Sequence, residues 1–164
     1  MQAGEFARFT RNNAVMEECR ERFKEVLVPN QIAANGSLPL ELARKKPYSY
    51  SLFDLDVLCT VGQTLSTDAD NLWTYTTSES RGLRKAVAFM YPYIKDKRTW
   101  PYPQDVEFFE DFPSRQPCLL FAGLAYQDRD YVSLWKTLNP DPTVPEVIRN
   151  FPVRQPLLWV AKKS

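Results

Sequence analysis

The chain has 164 residues, 44% of them hydrophobic and 25% charged, enough for one domain with a core of its own. Its formal net charge of +1 gives no global field for nucleic acid or an acidic membrane surface, and no apolar run approaches the ~20 residues that span a bilayer. It has no histidine, which removes the commonest general base and the commonest metal ligand, so neither a Ser-His-Asp nor a Cys-His mechanism can be built from these residues.

The opening residues, MQAGEFARFTRNN, hold no basic stretch followed by an apolar one, so no signal peptide is read there. They read as the second half of an amphipathic helix with Phe6, Ala7 and Phe9 as its apolar residues, and a chain that opens inside a helix is expected to be a C-terminal portion. Val15, Cys19, Phe23 and Val26 then recur every three to four residues behind the capable N-caps Asn12 and Asn13. This predicts a helix that Pro29 ends. The three cysteines, Cys19, Cys59 and Cys118, are far apart and form no C-x-x-C pair. They read as core thiols, and neither zinc nor a redox centre is expected.

Ala34-Asn35-Gly36-Ser37 predicts a tight turn, since Asn-Gly readily takes positive φ. A short segment, Leu38 to Arg44, leads to a helix from about Tyr50 to Leu65 that buries Leu52, Leu55, Leu58, Cys59, Gly62 and Leu65. Another runs from about Arg81 to Ile94, with Leu83, Val87, Met90 and Ile94 on one face. A long connection rich in proline and aromatics follows, and two further helices are predicted near Cys118–Tyr126 and Asp130–Leu138. Thr143 and Glu146 have capping-box spacing around Pro145 and predict a short helix. The closing Gln155–Val160 reads as an extended strand or a packed tail. Thirteen prolines against five glycines predict rigid connections, and no repeat or interior boundary stands out. The expectation is one all-α domain over residues 1–164, an incomplete α/α toroid or solenoid of amphipathic helices.

The densest polar and aromatic stretch lies between the Asn-Gly turn and the helix that follows. Arg44, Lys45, Lys46, Tyr48 and Tyr50 fall within seven residues there. A tyrosine titrates near 10, and a neighbouring guanidinium stabilises the phenolate, so such a pair can pass protons without histidine. The basic residues would also attract an anionic substrate. Spacing alone describes equally well a solvated charge run beside two core tyrosines, and that is the more ordinary outcome.

ANGSLPLELARKKPYSYSLFDLDVL resembles the segment D-G-[ST]-x-P-x-E-x-A-R…Y-[HS]-x-[FY]-x-L of the alginate lyase family. ECRERFKEVLVPNQIA before it, and WPYPQDVEFF, RQPCLLFAGLA and LWKTLNPDPTVPEVIRNFPVRQPLLWV after it, are similar to the Bacteroidetes and fungal branch of that family. The resemblance implies an α/α toroid and a lyase that cleaves alginate or another polyuronate by β-elimination, with no cofactor and no metal. It places Arg44 at the family's arginine and Tyr50 at its catalytic tyrosine, with Tyr48 as the rival phenol. Asn35 stands where Asp is commoner and keeps the turn-forming role. The Asn-His pair that the family uses to neutralise the substrate carboxylate would lie upstream of Met1. Asn12 and Asn13 read instead as a helix cap.

Lys45, Lys46, Tyr48 and Trp100 are the candidate substrate contacts. Trp100 opens an aromatic run with Tyr102, Phe108, Phe109 and Phe112, for which packing over helix ends is the simpler reading. Arg115 and Arg154 are expected at helix ends or in carboxylate pairs. The implied partner is an anionic polysaccharide, without nucleic acid or membrane insertion, and the implied compartment of the longer parent is the periplasm or the exterior. An incomplete toroid would also leave an apolar helix face open to self-association. Two other readings stand beside the lyase. One is a non-catalytic helical module or pseudoenzyme that binds acidic glycans. The other is a helical-repeat protein for protein partners, which predicts a groove of apolar and mixed charges.

Overall fold

A computed structural model of the chain describes residues 1–160. It is all-helical, with no strand among the described residues. α1 spans Gln2–Phe9, and its buried positions are Gly4 and Ala7, while Phe6 and Phe9 are 70% and 87% exposed. The helix is amphipathic as expected, but its small residues face the core and its phenylalanines face solvent.

α2 (Asn13–Arg22) is capped by Asn12, whose Oδ1 accepts from the Val15 N–H at 3.2 Å. Pro29 does not end this helix. A π-helical turn, Phe23–Leu27, intervenes, and α3 (Val28–Gln31) carries Pro29 in its first turn. The Val28 N–H reaches back to the Phe23 carbonyl, five residues earlier. At the start of a fresh helical turn the missing N–H of proline removes no bond.

The Asn35-Gly36 turn forms as its chemistry requires. Asn35 Oδ1 accepts from both the N–H and the hydroxyl of Ser37. Gly36 has φ +87°, and a Cβ there would lie 2.2 Å from the Lys85 carbonyl oxygen. Only glycine fits both constraints. The short α4 (Pro39–Leu42) follows, and then the central helix α5 (Pro47–Leu65).

α5 starts three residues before the predicted Tyr50, because Pro47 takes the first helical position. Leu52, Leu55, Leu58, Cys59 and Leu65 are buried along it, against α6 (Leu83–Lys95) and α7 (Cys118–Tyr126). Gly62 permits the crossing with α6, since a Cβ there would come within 2.8 Å of Leu83 Cδ1. α7 is apolar all round and buried over its first six residues, as a helix covered on all sides must be. α8 (Arg129–Thr137) packs on α7 and is capped by Asp128, which accepts from Asp130 N and Tyr131 N. Arg115 Nε donates to the Leu138 carbonyl at 3.0 Å and its Nη2 to that of Lys136, closing the C-terminal end of α8.

The last helix, α9 (Pro145–Arg149), is capped at Val144 without any side chain. The Thr143–Glu146 capping box does not form, because Glu146 is drawn into ion pairs with Lys46 and Arg149. Residues Pro156–Trp159 make a 3₁₀ turn, tied down where Gln63 Nε2 donates to the Trp159 carbonyl at 3.0 Å. Cys59 and Cys118 are buried free thiols, and Cys19 is half-buried.

Candidate active site

The loop between α4 and α5, the first two turns of α5, and α9 enclose an open groove of about 320 Å³. Glu41 and Arg44 come from the α4 side, Tyr50, Phe53 and Asp54 from α5, and Glu146, Arg149 and Asn150 from α9. The Arg44 guanidinium lies 4.5 Å from the centroid of the Tyr50 ring, within cation–π range. Its Nη1 also sits 3.4 Å from Glu41 Oε2. The Tyr50 hydroxyl makes no hydrogen bond among the described residues, so the phenol is free to meet a ligand.

Helix geometry explains why Tyr50 faces the groove. The N-terminal turn of α5 is held by Asp105, a residue of the long aromatic-rich loop. Asp105 Oδ1 accepts from Tyr48 N at 2.8 Å and Oδ2 from Ser49 N at 3.0 Å, which satisfies two of the otherwise orphaned N–H groups. The N-cap itself, Lys46, contributes no side-chain cap. Asp105 thus does from a distance in sequence what a capping residue does locally.

Of the predicted substrate contacts, the structure buries Tyr48 and Trp100 away from the groove. Tyr48 is wholly buried, with its hydroxyl donating to the Tyr93 carbonyl at 2.9 Å. Burial first, and then the charge of Asp105, push its phenol well above the usual tyrosine range. Trp100 is 8% exposed, stacks edge-on against Tyr48 at 5.1 Å, and donates through Nε1 to the Pro103 carbonyl. Both belong to an aromatic cluster with Tyr93, Tyr102 and Phe109 under the loop, where large rings gain most by burial.

Lys46 lies at the groove's edge but is engaged, 3.0 Å from Glu107 and 3.6 Å from Glu146. Burial works against its charge, and the hydrogen bond to Glu107 with the two carboxylate charges outweighs burial and raises its pKa. Lys45 is exposed and makes no ion pair among the described residues.

Asp54 is the residue that the sequence reading missed. It stands one helical turn beyond Tyr50 on the same face of α5. Burial, and then the neighbouring Glu41, push its carboxyl up to about 7. The i to i+4 spacing from Tyr50 was the available signal. Glu146 and Arg149 carried none, because only the fold brings α9 beside α5. A larger groove of about 430 Å³ lies between α7 and α8, lined by Gly123, Leu124, Arg129 and Val132 among others. It contains no phenol, and the acid–base groups gather in the smaller one.

The described fold is all-α, and one of its grooves holds an arginine laid on a tyrosine ring. The alginate lyase family profile matches residues 1–100, more than half of the chain, and the chain belongs to that family. The matched span includes Glu41, Arg44, Tyr50 and Asp54, and ends before α9. An alginate lyase from Bacteroides ovatus shares the fold, with a TM-score of 0.69 at 24% identity. The match covers 98% of this chain and 40% of that one, so the chain spans about two-fifths of that lyase's length. The shared fold is an α/α toroid. No curated protein matches the chain.

Proposed function

We propose that this chain supplies the tyrosine–arginine wall of a polysaccharide lyase cleft that cuts alginate or a related polyuronate by β-elimination. The observation that carries the reading is the Arg44 guanidinium 4.5 Å from the Tyr50 ring, at the wall of an open groove. In such a reaction the C5 proton becomes acidic once the adjacent carboxylate is neutralised. Tyr50 as phenolate takes that proton, or as phenol protonates the departing O4. The C5–H and C4–O4 bonds break, a C4=C5 double bond forms, and O4 leaves with a proton. Arg44 holds a fixed positive charge beside the negative charge that develops.

The neutralising Asn-His pair implied by the family resemblance is not supplied by these residues, which include no histidine. Loss of one such preorganised donor costs about 10²–10³ in kcat. These 164 residues alone are therefore expected to bind the polymer and turn it over very weakly. The active form would be a longer, exported protein. Absorbance of the unsaturated uronate ends measures turnover, and calorimetry with defined alginate oligosaccharides measures binding. Arg44→Ala should weaken oligosaccharide binding about tenfold, the order of one charge-assisted contact. A chain that binds neutral glucan oligosaccharides as well as oligouronates would refute the reading.

The absence of histidine also favours a second reading, a non-catalytic helical module that binds acidic glycans. A longer form carrying an Asn-His segment decides between the two. Turnover that is lost in Tyr50→Phe makes it an enzyme, and binding without turnover makes it a module.

A further inference from the structure

The groove holds more negative charge than its arginines cancel. Three carboxyls, Glu41, Asp54 and Glu146, line it with two guanidiniums, Arg44 and Arg149. Each guanidinium already has a carboxylate, Arg44 with Glu41 and Arg149 with Glu146. Lys46 adds a positive charge beside Glu146, and Glu107 cancels it. Asp54 has neither an ion pair nor a hydrogen bond among the described residues, although it is half-buried. With every group ionised the groove would repel a polyanion at the place where Tyr50 must meet it.

We infer that Asp54 is a proton-carrying contact for the anionic sugar, donating its carboxylic O–H to an oxygen of the bound uronate and taking up a proton from solution when the ligand arrives. This deepens the polyuronate reading above and rests on it. The groups that face Asp54 support it from each side. Burial, and then Glu41 on α4, disfavour its ionised form, while Arg44 and Arg149 are held by the carboxylates of Glu41 and Glu146. On its own helix its neighbours are Tyr50, the apolar Phe53 and the buried Cys59 thiol, which feels Asp54 as a negative charge. Nothing in the groove offers the Asp54 carboxylate an uncommitted cation. A carboxyl that titrates near neutrality here is neutral often enough to donate, and an anionic ligand shifts it further toward the protonated form.

The experiment is calorimetry of the chain with defined alginate oligosaccharides at pH 7, in two buffers of different ionisation enthalpy. Uptake of about half a proton per ligand is expected, with affinity falling about tenfold from pH 6 to pH 8. Asp54→Asn should abolish the uptake and flatten the pH profile while binding persists. A carbon-detected titration of the Asp54 carboxyl supplies a second readout, a midpoint that moves upward on addition of oligosaccharide. Binding without proton uptake, or uptake that survives Asp54→Asn, overturns this inference alone. Absence of binding at every pH by a chain whose helical circular dichroism is intact overturns the polyuronate reading and this inference with it.

Discussion

Replacing Asp105 by alanine tests whether the aromatic loop holds the N-terminal end of α5 in place. The Asp105 carboxylate accepts two hydrogen bonds, from Tyr48 N at 2.8 Å and Ser49 N at 3.0 Å, and is only 7% exposed. A hydrogen bond to a charged group nets about 1.5–3 kcal/mol. Loss of a local cap in helix series costs about 0.5–2 kcal/mol, because water replaces part of what is removed. Water has little access here, so the loss should lie above the cap series, at about 3 kcal/mol. With a urea slope of about 2 kcal/mol per molar, the unfolding midpoint should fall by about 1.5 M at unchanged slope. Asp105→Asn keeps one acceptor oxygen and should lose about half as much. Because Tyr50 follows Ser49 directly, oligouronate affinity should fall in Asp105→Ala more than in Leu119→Ala, a core truncation in α7 away from the groove. An unfolding midpoint for Asp105→Ala within about 0.25 M of the parent, a loss of about 0.5 kcal/mol, would refute the argument.

Asp56 is fully buried in α5, with Oδ1 accepting from Cys118 N at 2.7 Å and Oδ2 left without a partner. Burial raises its carboxyl well above the ordinary 3.8, against the opposing effect of the Cys118 hydrogen bonds. The native state therefore keeps this proton at a pH where the unfolded chain has released it, and stability falls as pH rises from about 4 towards the raised value. Asp54 acts in the same direction between 3.8 and about 7. Asp56→Asn should flatten melting temperature against pH over that window, and an unchanged slope would show that Asp56 does not titrate in it. Gly36→Ala should cost more than about 3 kcal/mol, since a Cβ at φ +87° meets the Lys85 carbonyl oxygen at 2.2 Å and neither backbone can yield alone. Chemical denaturation reads this, and a loss below about 1 kcal/mol would mean that the turn relaxes freely. Phe6 and Phe9 on α1 are 70% and 87% exposed. Light scattering should show concentration-dependent self-association that Phe9→Glu reduces, whereas a monomer at all concentrations would mean that these rings do not make a contact face.

Elements whose signals are local were legible in the sequence. α6 and α7 carry their period and their ends within themselves, and so does the Asn35-Gly36 turn. The failures come from partners distant in the chain. Pro29 reads as a stop unless the π turn before it is known, and the Thr143–Glu146 box yields to Lys46, about a hundred residues away, and to Arg149. Asp105 as the cap of α5, 57 residues from Tyr48, has no sequence signature at all.

The choice between Tyr48 and Tyr50 is different, because the information for it lay in the sequence and depended on where α5 begins. With the helix begun at Tyr50, Tyr48 sits in a loop and either phenol could face a ligand. Begun at Pro47, the helix carries both, and at 100° per residue two positions apart they point about 200° from one another. Tyr48 then shares a face with the buried Leu52, Leu55 and Cys59, four, seven and eleven residues on, and has to be core. Tyr50 shares its face with Asp54, which is why a phenol and a carboxyl meet in one groove. Proline at the first helical position fixes that phase, so three residues of helix start decide which tyrosine lines the groove.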